Sequence, residues 1–157
     1  MNKLFGSLLL LASALSGCQR APSTALSPDE ARSLLTERNW IDKLPANESD
    51  KLHVYRFVPS MGGGVFQDRT LFAGQFELFN FENTGDEIHF YLRHTHEEVT
   101  SRYRIETLSK DEQRGPLDLK LTIEKDPRGP SVYFGSRREQ AHLGLGLDQD
   151  LDALLAR

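Results

Sequence analysis

His94, His96 and Glu98, within the run His94-Thr95-His96-Glu97-Glu98, are the residues of this chain best suited by type and spacing to chemistry. On extended backbone, alternate side chains project to one side. Two imidazoles and a carboxylate would then converge, a set that binds zinc or a related ion. A second reading competes and is favoured. The run falls where one strand pattern ends and the next begins, and hairpin tips collect polar residues for solubility; no distant fourth ligand stands out. The neighbouring acids Glu97 and Glu98 face opposite ways on a strand, which does not suit joint acid–base work on one substrate. His53, His89 and His142 stand alone, with no Ser or Cys that spacing assigns to them as an activated nucleophile. These observations point to a non-enzymatic protein with no cofactor.

The aromatic residues say more. Tyr55, Phe57, Phe66, Phe72, Phe76, Phe79, Phe81, Phe90, Tyr103, Tyr133 and Phe134 fall almost wholly within strand-like segments. They exceed what one face of a small flat sheet can bury, whereas a closed barrel accommodates them. Either the rings fill the barrel, which is favoured by a small margin, or they line a cavity for a small apolar ligand. Trp40, Tyr55, Phe57, Phe76, Phe90 and Tyr103 are the candidate contacts in the second case. Trp40, the only tryptophan, reads more readily as a core plug at one end of the sheet than as a ligand-stacking ring.

The elements that must position these rings lie between Leu52 and Phe134. Apolar and polar residues alternate there at period two, as in half-buried strands. Leu117, Leu119, Leu121 and Ile123 interleave with Asp118, Lys120, Thr122 and Glu124; Ile88, Phe90 and Leu92 interleave with His89, Tyr91 and Arg93; Val99, Tyr103 and Ile105 continue the pattern. Strands are expected over 51–58, 70–81, 87–93 and 131–135 as well. In the 70–81 segment Phe76 and Leu78 share one face while Phe79 and Phe81 take the other, which requires a bulge or a strand covered on both sides. The triple glycine Gly62-Gly63-Gly64 lacks the Gly-Lys-Ser/Thr of a phosphate loop and reads as a hairpin tip or bulge. Ser27-Pro28-Asp29-Glu30 is a helix start, with cap, N1 proline and capping-box glutamate, and the helix should run to near Asn39. Leu147, Leu151, Leu154 and Leu155 form one helical stripe, predicting a short C-terminal helix on the barrel. Asp148, Asp150 and Asp152 beside it begin like a calcium loop, but Ala153 takes the glycine position and the twelfth-position carboxylate is missing. The expected fold is mainly β, an antiparallel meander closing into a barrel of seven or eight strands with short N- and C-terminal helices.

A chain of 157 residues with net charge -4 suits one domain and gives no pull toward nucleic acid. Its single cysteine, Cys18, forbids an intramolecular disulfide. Lys3 opens a short basic start, Leu4 to Leu15 form an apolar run, and Leu15-Ser16-Gly17-Cys18 closes it. That run is short of the roughly 20 residues a membrane-spanning helix needs, so a cleaved secretory signal fits better. The closing tetrad resembles the lipobox of bacterial lipoproteins. The resemblance implies acylation of Cys18, removal of residues 1–17 and a membrane lipid anchor, with Gln19 to Leu26 as a tether. Gln19, where an Asp would retain the protein at the inner membrane, implies transfer to the outer membrane of the bacterial envelope. The domain then spans 27–157.

A helix, a lone Trp, a meander containing Tyr55-Arg56-Phe57, and a closing helix resemble in pattern the lipocalin-like and other small-barrel lipoproteins of bacteria. The likeness covers Trp40 to Phe134. No Gly-x-Trp opens the first strand, since Arg38-Asn39 precede Trp40, so no ligand residues carry over. Two functions remain from this reading: a barrel binding a small apolar ligand inside, or an envelope interaction or assembly module with a filled interior.

Overall fold

The computed structural model describes residues 23–138. Cys18, the expected signal segment 1–17 and the expected helix over Leu147–Leu155 lie outside them. Nine strands occur: β1 (Thr24–Ala25), β2 (Asn39–Ile41), β3 (Leu52–Val58), β4 (Gly63–Arg69), β5 (Gly74–Thr84), β6 (Glu87–Leu92), β7 (Glu97–Thr107), β8 (Leu119–Ile123) and β9 (Val132–Gly135), with one helix, α1 (Pro28–Leu35). Strands β2 to β9 pair antiparallel, each with its neighbour in sequence, and β2 also pairs β9 through Ile41 and Phe134. The result is a closed, lipocalin-like up-and-down barrel of eight strands, in which each of β2 to β9 has a neighbour on both sides. The two-residue β1 adds beside β7, with Thr24 opposite Thr107 and Ala25 opposite Glu106.

Helix α1 starts as its capping residues dictate. Glu30 N–H donates to Ser27 Oγ while the Glu30 carboxylate accepts from Ser27 N–H and Oγ–H. It stops at Leu35, short of Asn39, because Thr36 turns extended and Glu37 takes a positive φ of 58°. Ala31 and Leu35 then bury against the barrel interior. We call the end of the barrel that α1 occupies the helix end, and the opposite end, formed by segments 42–51, 70–73, 93–96 and 124–131, the loop end.

Three strands are absent from the alternation pattern. β1 is two residues of the stretch expected to be tether, which here pairs with β7. β2 is three residues of an isolated Trp segment, too short to show a period. β4 begins inside the triple glycine, where a hairpin tip was expected. Gly62 at φ 68° makes the turn, and Gly64 lets β5 approach: a Cβ there would overlap the Phe79 ring and lie 2.7 Å from the Arg56 carbonyl. The expected strand over 70–81 correspondingly starts only at Gly74, after the turn closed by Thr70 N–H donating to the Ala73 carbonyl at 2.7 Å. No bulge resolves the phase conflict of this strand, since its register against β4 and β6 is unbroken. Phe79 and Phe81 point inward; Phe76 and Leu78 point out.

The interior cluster includes Leu35, Trp40, Tyr55, Phe57, Phe79, Phe90, Ile105, Leu119, Leu121 and Tyr133. A second cluster lies on the outside of β2, β3 and β9, where Ile41, Leu52, Val54 and Phe134 are covered by Leu44, Leu71, Leu108 and Leu117. Leu117, expected on the same inward stripe as Leu119 and Leu121, belongs to this outer cluster instead. It precedes β8, in a turn where its N–H and carbonyl bond to Arg114.

Candidate functional site

Five of the six candidate ligand contacts meet inside the barrel, and they meet as core. Trp40 is fully buried, donates from Nε1 to the Leu35 carbonyl at 2.9 Å and lies so close over Gly135 that a Cβ there would come 2.9 Å from its ring. Tyr55 contacts Phe57, Phe66, Phe79, Phe90 and Tyr133 with ring centroids 4.8–6.1 Å apart. Phe57 adds Phe81 at 5.1 Å. These are edge-to-face, tilted and stacked contacts at ordinary aromatic separations, so the buried rings pack on one another instead of surrounding a space. Tyr103 sits at the margin, exchanging hydrogen bonds between its hydroxyl and the Asn83 side-chain amide, and burial raises its pKa. The sixth, Phe76, does not join them. Its strand parity puts it outside, 71% exposed.

Near the loop end the interior becomes polar in a way that spacing does not reveal. Asp126, in the turn after β8, accepts from the Tyr55 hydroxyl at 2.8 Å and the Tyr133 hydroxyl at 2.7 Å, and from the Arg128 and Gly129 amides. Arg128 also pairs with Glu77 on β5. Both phenols have their pKa raised, first by burial and then by the Asp126 charge. Beside them, Asp42 accepts from the His53 backbone amide and engages His53 Nδ1, both at 2.8 Å, and the His53 ring stacks on Phe66. His53 is therefore partnered, not isolated as its sequence position suggests. These contacts strap the β8–β9 and β2–β3 segments to the barrel.

The metal reading of His94, His96 and Glu98 fails on backbone. Residues 93–96 form a turn, His96 has φ 59°, and β7 starts only at Glu97, so the alternation that would align the three side chains is broken. His96 Nδ1 instead meets the Tyr91 hydroxyl at 3.1 Å. Among the described residues, no group of three His, Cys, Asp or Glu side chains is placed to hold a metal ion.

The outer wall offers two distinct surfaces. Across β5, β6 and β7 a polar groove is lined by Asn80, Glu82, His89, Tyr91, Glu98 and Thr100, with Gly62 at one side. Its floor is ordered: the His89 ring bridges the Thr84 and Thr100 hydroxyls at 3.0 and 2.9 Å, and Asn80 donates to the Gly62 carbonyl at 2.9 Å. Tyr91 is the half-exposed ring in this groove. Beside it, along β4, β5 and their turns, Met61, Phe72, Phe76 and Leu78 are exposed by 68, 78, 71 and 44%. Neither surface was assigned from sequence, although the outward phase of Phe76 and Leu78 was the available signal for the second.

No family model, no curated protein and no solved structure matches the chain. Among the described residues, no helix is long and apolar enough to cross a membrane.

Proposed function

We propose that this protein is a lipid-anchored, non-enzymatic binding module of the bacterial envelope that meets an envelope protein or glycan with the outside of a packed barrel. The observation that carries the reading is the interior ring ladder of Trp40, Tyr55, Phe57, Phe79, Phe90 and Tyr133, buried side chains in mutual contact where a small apolar ligand would have to sit. Binding inside would require displacing several of these rings, each worth about 3–5 kcal/mol of stability. The groove on β5–β7 needs no such rearrangement. Tyr91 offers a ring face for stacking, and Asn80, His89, Glu98 and Thr100 offer donors and acceptors, a combination suited to a sugar ring or a peptide backbone. The anchor and the outer-membrane address rest on Leu15-Ser16-Gly17-Cys18 and on Gln19.

A photo-crosslinking residue in place of Tyr91, expressed in intact cells, should trap one discrete adduct. The same residue in place of Lys110, exposed on a loop away from the groove, should trap none. Identical adduct patterns at both positions, or none at either, would remove the groove as the binding surface.

A further inference from the structure

The exposed apolar residues of the β4–β5 wall are not scattered. Met61 sits in the β3–β4 turn at the helix end, Leu78 and Phe76 follow along the outside of β5, and Phe72 projects from the β4–β5 turn at the loop end. Together they make a stripe running the length of the barrel. Single exposed apolar residues are ordinary, but four large ones in line on one wall mark a surface meant to be covered. The residues lining the two depressions along this stripe include Arg56, Arg69 and Arg93 and no Asp or Glu, in a chain whose net charge is -4. The arginines are held at the rim: Arg69 donates to the Thr70 and Leu71 carbonyls, Arg93 to the Asn80 side chain, and Arg56 to that of Asn39.

We propose that this stripe is a bilayer-docking face, on which the barrel lies on its side with Phe72, Phe76, Leu78 and Met61 in the headgroup–acyl boundary of an anionic membrane. Aromatic and aliphatic side chains rimmed by arginine are what that boundary accepts, the apolar atoms going down and the guanidinium groups staying with the phosphates. A second copy fits less well, since a twofold pairing of this face would bring its arginines together. The position of the chain's N-terminal part agrees. β1 lies beside β7 with Ala25 opposite Glu106, so it approaches the barrel at the same helix end as Met61. The five residue steps from Cys18 to Ser23 reach at most about 18 Å. A chain acylated at Cys18 would thus hold the barrel close enough for the stripe to touch the same membrane, at the high effective concentration that tethering confers. Docked so, the β5–β7 groove opens sideways, still reachable by an envelope partner.

Trp40 is the only tryptophan and is fully buried, so a tryptophan introduced on the surface reports depth by itself. The full acylated chain would be reconstituted in vesicles of phosphatidylcholine and phosphatidylglycerol containing brominated acyl chains. Phe72→Trp and Phe76→Trp should be quenched strongly, and Arg102→Trp, on the outer face of β7, should keep its emission. Equal quenching at all three sites, or none at the two stripe sites, overturns the docked face; a crosslinked protein partner at Phe76 would give the second result and identify the stripe as a protein interface. The chain from Gln19 to Arg157, without acyl groups, should float with anionic vesicles, and Phe72→Ser with Phe76→Ser should weaken that by about tenfold. No loss on this double change also overturns it. None of these readouts depends on the Tyr91 groove, so the two readings stand or fall separately.

Discussion

Asp126 is the carboxylate that gathers the two buried phenols at the loop end. It accepts four hydrogen bonds, two from buried phenols and two from its own turn, so Asp126→Ala leaves all four donors without their acceptor. The expected loss is about 2–4 kcal/mol of unfolding free energy by urea titration, since unsatisfied buried donors each carry a desolvation cost. Tyr55 and Tyr133 add a pH signature. Their folded pKa values lie above the ordinary tyrosine value of 10.0. Above that pH the unfolded chain sheds phenolic protons that the folded chain retains, and stability falls with rising pH; below it the contribution is fully present. Urea midpoints measured from pH 8 to 11 should be flat and then decline, with a slope of up to about 1.4 kcal/mol per pH unit for each tyrosine. Tyr103, whose pKa burial also raises, adds to the same decline, so Tyr133→Phe should reduce the slope by one tyrosine's share, and an unchanged slope would separate Tyr133 from the effect. At this scale the sequence was least legible. Asp42 and His53 lie 11 positions apart and meet through the antiparallel pairing of β2 with β3, while Asp126 and Tyr55 lie 71 apart and meet only when β9 closes on β2. His94, His96 and Glu98 were read in favour of a hairpin tip over a metal site, and the turn at 93–96 agrees: their spacing implies a common side only on extended backbone, and the left-handed turn at His96 is not extended.

The strand elements were legible wherever one face is core and the other solvent. β6, β7 and β8 follow that rule and carry the alternation almost without fault. β4 was hidden because glycines stand where the pattern needs side chains, and β2 because three residues show no period. The glycines make a test of why they are there. Gly62→Ala meets open space and strains only its positive φ, a cost of about 1 kcal/mol. Gly64→Ala drives a methyl group into the Phe79 ring and the Arg56 carbonyl, and should cost about 2–3 kcal/mol as overpacking. Equilibrium unfolding of the two variants should therefore rank Gly64 above Gly62; the reverse order would mean that β4 and β5 are not so closely packed. β5 shows the limit of periodicity in the other direction. Its apolar residues on both faces led to two explanations, a bulge or a covered strand, and neither holds among the described residues: the register is continuous and Phe76 stays exposed. Apolar patterning reports what a residue prefers to contact, and for Phe76 and Leu78 the chain's own core does not supply it.

At the scale of the whole molecule, a packed barrel with the proposed binding surfaces outside would give the proposed lipid anchor a simple role, holding those surfaces at a membrane. Cys18→Ser should abolish incorporation of labelled fatty acid and leave the barrel intact, because Cys18 precedes β1, α1 and every barrel strand. Wild-type protein that takes up no fatty acid would remove the anchor and with it the envelope address. Closure of the meander, the buried Trp40 and the N-terminal helix followed from composition and capping residues. Whether the rings fill the barrel or line it did not, because the same aromatic count serves both until ring positions are known. That difference separates an internal ligand from an external partner, and native mass spectrometry of the Gln19–Arg157 chain, purified without detergent, tests it most directly. The packed interior predicts the mass of the polypeptide alone. A stoichiometric small-molecule adduct that survives native conditions and is released on denaturation would contradict it.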